Sequence, residues 1–239
     1  MKGFVFDLDD TLIYTSCVYE KAKQEFAQIL ISEGISLNKA SILHCLREMD
    51  WRLRETMDVH KNRLLFSMTM TYQILMRKSR LSLRSSALED FQGIMDSVHQ
   101  HRYRLVRGAR KLLETVRNQG HPMILYTRGD QQIQENKIHQ TKIATFFQKI
   151  YITKRKSPSH LQQILDEMNF DPIQSWMIGD EILTDVNHAL TCGMNVMRVW
   201  GYHNYEPAEL PVSPKIINVQ FLNHLMPHFS LLQKEAMSI

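Results

Sequence analysis

The sequence predicts an α/β protein, a parallel sheet with helices on both faces, interrupted near its start by a long all-helical insert. Three observations carry this. Short apolar runs alternate with helical patterns from residue 108 onward, the order of strands joined by helical crossovers. One further apolar run, Phe4-Val5-Phe6, stands alone at the beginning and stops at Asp7. Between them, over 14–107, proline is absent, glycine occurs only as Gly34 and Gly93, and apolar residues recur at helical spacing.

Phe4-Val5-Phe6 is too short for a helix and reads as a buried strand. In the insert, Phe26, Ile29 and Leu30, then Leu64, Leu65, Met68, Tyr72, Leu75 and Met76, mark several helices and no strand. A helix over 109–119 stops at Gly120. A strand at 123–126, a polar helix over 130–139 and a strand at 149–152 follow. Ser157-Pro158 opens the next helix, with Ser as N-cap and Pro in the first turn, and it runs to about residue 168. Then come a strand at 176–178, a helix over 183–191 closed by Gly193, and a strand at 195–199. Prolines at 207, 211 and 214 make a loop, with a short strand at 215–218 and a weak amphipathic helix to Pro227. The expected division is a core of 1–13 plus 108–239 and a helical domain of 14–107.

Composition fits that picture. Hydrophobic residues are 44% and charged residues 23%, which excludes a disordered or collagenous chain. At 239 residues the chain can bury roughly 70–75% of its unfolded surface without disulfides or a structural metal. The three cysteines, Cys17, Cys45 and Cys192, are far apart and form no CxxC pair, so neither a disulfide framework nor a zinc ribbon is readable. They read as reduced thiols of a cytoplasmic protein. MKGFVFDLDD is no signal peptide, and no uncharged apolar stretch nears the ~20 residues of a membrane span. The net charge of +4 is too slight to argue for nucleic acid as a partner. The insert, with 15 Lys/Arg and 10 Asp/Glu, carries all of the positive excess. That is either an ordinary solvated helical surface or a basic lid attracting an anionic substrate.

In open parallel sheets ligands bind beyond the carboxyl ends of the strands, so the residue after each apolar run is informative. The first run ends in Asp7-Leu8-Asp9-Asp10-Thr11, the next in Thr127-Arg128-Gly129-Asp130, and the Trp176 run in Gly179-Asp180-Glu181 with Asp185 beyond. Lys154-Arg155-Lys156 follows the Tyr151 run. If these strands are neighbours, several carboxylates converge and raise one another's pKa unless something positive sits among them. A hard divalent cation resolves this: Mg²⁺ takes oxygen ligands, commonly one or two carboxylates plus a substrate phosphate. Lysine and a threonine hydroxyl nearby suit the phosphoryl group itself.

These motifs, in this order, resemble the haloacid dehalogenase superfamily of phosphohydrolases: Asp7-Leu8-Asp9-Asp10-Thr11 first, Thr127 second, Lys156 in Lys-Ser-Pro third, and the stretch from Gly179 to Asp185 fourth. The resemblance implies a Rossmann-like core with the insert as a helical cap, and assigns roles residue by residue. Asp7 would be the nucleophile, forming an aspartyl-phosphate. Asp9 would be general acid and base, offering Mg²⁺ only its main-chain carbonyl. Thr127, the Arg128 amide and Lys156 would hold the phosphoryl group. Asp180 would ligate Mg²⁺ directly, and Asp185 through water or through Lys156. Lys154 competes with Lys156 for the lysine role, and Thr127 has a second reading as a helix cap. The presence of Asp9 favours phosphate monoester chemistry over carbon–halogen cleavage.

The expected activity is therefore a Mg²⁺-dependent phosphatase acting on a phosphorylated small molecule, with the cap closing over it. The alternatives are a phosphomutase on the same core, or a binding protein that uses the basic cap. Trp51-Arg52-Leu53-Arg54 is the candidate substrate contact within the insert, and Arg102-Tyr103-Arg104 reads as a hinge or solvated face. Oligomeric state is open.

Overall fold

The structure, a computed structural model, describes residues 1–57, 59–202 and 208–229. It divides into two compact units, Met1–Ser16 with Tyr103–Ile239, and Cys17–Arg102. The boundaries fall a few residues inside those expected, for a specific reason. The outgoing and returning chains pair: Ile13 bridges Leu105, Val106 N–H donates to the Leu12 carbonyl (2.9 Å) and Tyr14 N–H to the Arg104 carbonyl (3.1 Å). Residues 103–107 thereby belong with the sheet. Tyr103 is buried there, not on a solvated face.

In the first unit, six strands among the described residues form one parallel sheet: β1 (Phe4–Phe6), β2 (Met123–Arg128), β3 (Lys149–Thr153), β4 (Trp176–Gly179), β5 (Asn195–Val199) and β6 (Ile216–Val219). Their spatial order is β3-β2-β1-β4-β5-β6. β1 lies at the centre with register Phe4↔Met123 on one side and Phe4↔Trp176 on the other. The next two strands in sequence, β2 and β3, lie on one side of β1 and the last three, β4 to β6, on the other, so the winding reverses here. That is where such sheets bind ligands. All three β1 residues are fully buried, as a strand covered on both faces requires. Val5, Ile124, Tyr126, Met177 and Val196 pack on one face with Leu161, Ile164, Leu165 and Ala189.

The α-helices of this unit include α5 (Ala109–Asn118), α6 (Gln131–Thr141), α7 (Pro158–Glu167) and α8 (Asn187–Thr191), and the second unit takes its helices from α1 (Ser16–Ser32), α2 (Lys39–Met57), α3 (Arg63–Lys78) and α4 (Ala87–His99). The helix expected over 183–191 is in fact two pieces, a single π-helical turn Ile182–Val186 leading into α8. The helix expected up to Pro227 begins as a 3₁₀ turn, Leu222–Leu225. Pro207 lies outside the described residues.

The second unit has its own core. Phe26, Leu30, Ile42, Leu46, Met68, Tyr72 and Phe91 are buried together, with Phe91 edge-on to Phe26 (5.1 Å) and Tyr72 (5.4 Å). Such aromatic pairs add to the burial of their area. Arg84 ties this unit's α1 and α4 ends, donating to Glu33 and Asp90.

Candidate active site

Asp7 extends β1 by one residue, its N–H donating to the Ile178 carbonyl of β4 (2.9 Å). Asp180 follows the last residue of β4 directly. Both carboxylates therefore emerge on neighbouring strands at the same end of the sheet. Asp185 reaches the same place from the π-helical turn, where Asp185 and Val186 N–H both point to the Glu181 carbonyl. Gly179 makes that approach possible: a Cβ there would stand 2.4 Å from Asp185 Oδ2. Asp185 Oδ2 in turn accepts the Glu181 N–H (3.1 Å).

Lys156 arrives from the loop after β3, immediately before Ser157, which caps α7 by accepting the His160 N–H (3.1 Å). Its buried Nζ donates to Asp7 Oδ1 (2.5 Å) and Asp185 Oδ1 (2.7 Å), and lies 5.3 Å from the Tyr126 ring centroid. Lys154 is exposed, and its carbonyl accepts from Arg128 Nε (3.2 Å). Lys156 is thus the lysine that joins the carboxylates. Thr127 is fully buried within β2 and does not cap the following helix; Asp130 does so, accepting from Gln132 and Ile133 N–H.

Ligand atoms of Asp7, Asp180 and Asp185 lie within 4.8 Å of one another. Lys156 bridges two of these acids, Asp7 and Asp185, and the crowding of carboxylates shows in the titration of Asp7 and Asp180. Burial first, then Asp185 and Asp9, push the Asp7 carboxyl up to about 8 despite the pull of Lys156. Asp180 is raised by burial and by Asp7, Asp185, Asp10 and Glu181. Burial disfavours a charge on Lys156, but Asp185 and Asp7 outweigh it and hold the ammonium form above the ordinary lysine range. A cluster of buried carboxylate oxygens fits a hard divalent cation. Thr11 Oγ1 donates to Asp180 Oδ1 (3.4 Å), and Arg198 Nε on β5 donates to the Asp180 carbonyl (3.0 Å).

Asp9 stands apart from that cluster. Its Oδ1 accepts from Lys137 Nζ (2.7 Å) and Thr15 Oγ1 (2.5 Å), and its Oδ2 from Gln134 Nε2 (2.7 Å). Burial alone would raise it, but Lys137, Thr15 and Gln134 together hold Asp9 below the usual carboxylate range. Gln134 Nε2 is also 2.7 Å from Thr127 Oγ1 and 3.2 Å from the Arg128 carbonyl. Asp10, with φ 55°, turns inward and accepts the Thr15 and Ser16 N–H groups. That closes the loop which carries Asp9 and Thr15.

Thr15, Gln134, Lys137 and Arg198 were not foreseen from sequence. Gln134 and Lys137 sit three residues apart on α6, which buries Gln134, Lys137, Ile138 and Thr141. The one available signal is that this helix lacks an apolar stripe, so its inner face must be partly polar. Glu181 accepts the Thr184 hydroxyl (2.7 Å). Trp51, in the second unit, is exposed with the Arg54 guanidinium 5.6 Å from its ring centroid. No helix among the described residues is long and apolar enough to cross a membrane.

Residues 4–199 match the family model of haloacid dehalogenase-like hydrolases. A glyceraldehyde 3-phosphate phosphatase of Pyrococcus furiosus is 25% identical over 244 aligned positions, covering 98% of this chain and 94% of that protein. Among solved structures, a haloacid dehalogenase-like hydrolase of Xanthomonas campestris superposes with a TM-score of 0.80 at 20% identity, covering 100% of this chain and 94% of the other. A HAD-type hydrolase of Bacillus subtilis, solved with magnesium bound, gives 0.62 at 17% identity, covering 96% and 98%. With the matched span running from the first strand to the fifth, this chain belongs to the haloacid dehalogenase-like hydrolase family.

Proposed function

We propose that this protein is a Mg²⁺-dependent phosphatase that hydrolyses a small phosphate monoester through an aspartyl-phosphate on Asp7. One observation carries the reading: Asp7 is paired with buried Lys156 inside a three-carboxylate cluster, while Asp9, two residues on, is held outside it. Two carboxylates with such different surroundings suit two different tasks. The phosphatase activity of the Pyrococcus relative supports a phosphorylated metabolite as substrate, with triose phosphates the first to try.

Asp7, Asp180 and Asp185, with the main-chain carbonyl of Asp9, are the groups that would hold Mg²⁺. When bound, Mg²⁺ supplies positive charge against the phosphoryl oxygens and makes the ionised form of Asp7 available. An Asp7 oxygen attacks phosphorus, the bond to the ester oxygen breaks, and Asp9 gives that oxygen a proton. Lys156, Thr127 and the Arg128 amide stabilise the phosphoryl group in passage. Water then attacks the aspartyl-phosphate, its proton passes to Asp9, and inorganic phosphate leaves with Asp7 restored.

The test is phosphate release from 4-nitrophenyl phosphate with and without Mg²⁺. Activity that needs Mg²⁺ and falls by a factor of about 10³ or more in Asp7→Asn is expected, since removing a nucleophile leaves little catalysis. Turnover surviving Asp7→Asn would contradict the reading.

A further inference from the structure

Lys137 is a buried cation outside the Asp7 cluster, and burying an ammonium group is costly without a paired charge. Its Nζ pairs with Asp9 Oδ1 at 2.7 Å and lies 5.1 Å from the Tyr103 ring centroid. The two oxygens of Asp9 are used differently. Oδ1 is gripped by both Lys137 and the Thr15 hydroxyl. Oδ2 has the Gln134 amide, whose two N–H groups are contested by three acceptors: Asp9 Oδ2, Thr127 Oγ1 and the Arg128 carbonyl. Oδ2 is the oxygen that can be released at least cost. The Asp9 side chain is also 27% exposed, against 5% for Lys137, so water can reach the carboxylate but not the lysine.

We propose that Lys137 is a positioning residue for Asp9: it anchors Oδ1 and so fixes the direction of the carboxyl group, leaving Oδ2 to take the proton of the water that opens the aspartyl-phosphate. The inference rests on the phosphatase reading above. In that step the water oxygen bonds to phosphorus, and the phosphorus–oxygen bond to Asp7 breaks with its electron pair returning to the Asp7 carboxylate. The water proton ends on Asp9 Oδ2. Gln134, shared between Asp9 and Thr127, lets go of Oδ2 as the proton arrives while its other N–H stays on Thr127.

The experiment uses 4-nitrophenyl phosphate with Mg²⁺, because nitrophenolate departs without needing a proton and the first step is spared. Lys137→Met is expected to lower kcat about tenfold or more while kcat/KM, which reports steps up to nitrophenolate release, stays within about threefold. KM then falls with kcat, and intact mass during turnover shows phosphorylated protein that the Asp7→Asn control lacks. Lys137→Arg, which keeps the cation, should recover most of kcat. Should Lys137→Met not fold, Lys137→Gln, with a donor but no charge, is expected to show the same split. If kcat and kcat/KM drop together with no phosphorylated protein, or neither changes, Lys137 has no such role. Wild-type protein inactive on this ester with Mg²⁺ would overturn the phosphatase reading itself and this inference with it.

Discussion

Gly179 carries no side chain, yet the geometry of three acids depends on it. A Cβ at this position would meet Asp185 Oδ2, Cγ and Cβ at 2.4, 2.5 and 2.6 Å, all atoms of a buried side chain held by Lys156 and the Glu181 N–H. Gly179→Ala is therefore expected to push Asp185 off Lys156. It should cost about 1–3 kcal/mol in thermal unfolding, as overpacking does, and weaken Mg²⁺ binding by calorimetry at least about tenfold. An alanine variant that binds Mg²⁺ like the wild type would show that Asp185 has slack. Asp7, Asp9, Thr127, Lys156, Asp180 and Asp185 could all be named from sequence because each stands where an apolar run stops, or shortly after. Thr15, Gln134 and Lys137 could not. Their contacts with Asp9 span 6, 125 and 128 residues respectively, and on a polar helix a buried lysine looks the same as a solvated one.

At the level of elements, α7 is aimed by its own first residues. Ser157 accepts the His160 N–H and Pro158 fixes the first turn, and Lys156 is the residue just before that cap. Ser157→Ala should lower stability by about 1 kcal/mol in denaturant unfolding, the usual loss for a serine cap. It should also reduce turnover modestly, because the lysine loses its fixed approach to Asp7; unchanged stability would show that Pro158 suffices. This cap was legible because Ser-Pro has a local meaning. The π-helical turn Ile182–Val186 was not. Over five residues, helical and π spacing give the same apolar pattern, and what selects the wider turn is the distant demand that Asp185 face Gly179. The return of 103–107 to the sheet was missed for a similar reason, since the pairing of Ile13 with Leu105 joins residues 92 positions apart.

For the whole molecule, the sheet concentrates buried carboxylates at the centre of the fold, which opposes folding unless their charge is offset. The sign follows from Asp7. In the folded chain without metal its pKa is about 8, against 3.8 unfolded, so between those values the native state holds a proton that the unfolded state has lost. Stability is then fully present below 3.8 as far as this group is concerned, and is lost as pH rises toward about 8. Asp180, raised chiefly by burial, adds to the same trend. A divalent cation binds the ionised cluster and releases those protons, so its stabilising effect must grow across the same window. Thermal unfolding with and without saturating Mg²⁺ should therefore show a midpoint shift several degrees larger near pH 8 than near about pH 5. A shift that is equal at the two pH values, or that shrinks at the higher one, would mean that Mg²⁺ does not engage Asp7 and Asp180 as ionised ligands.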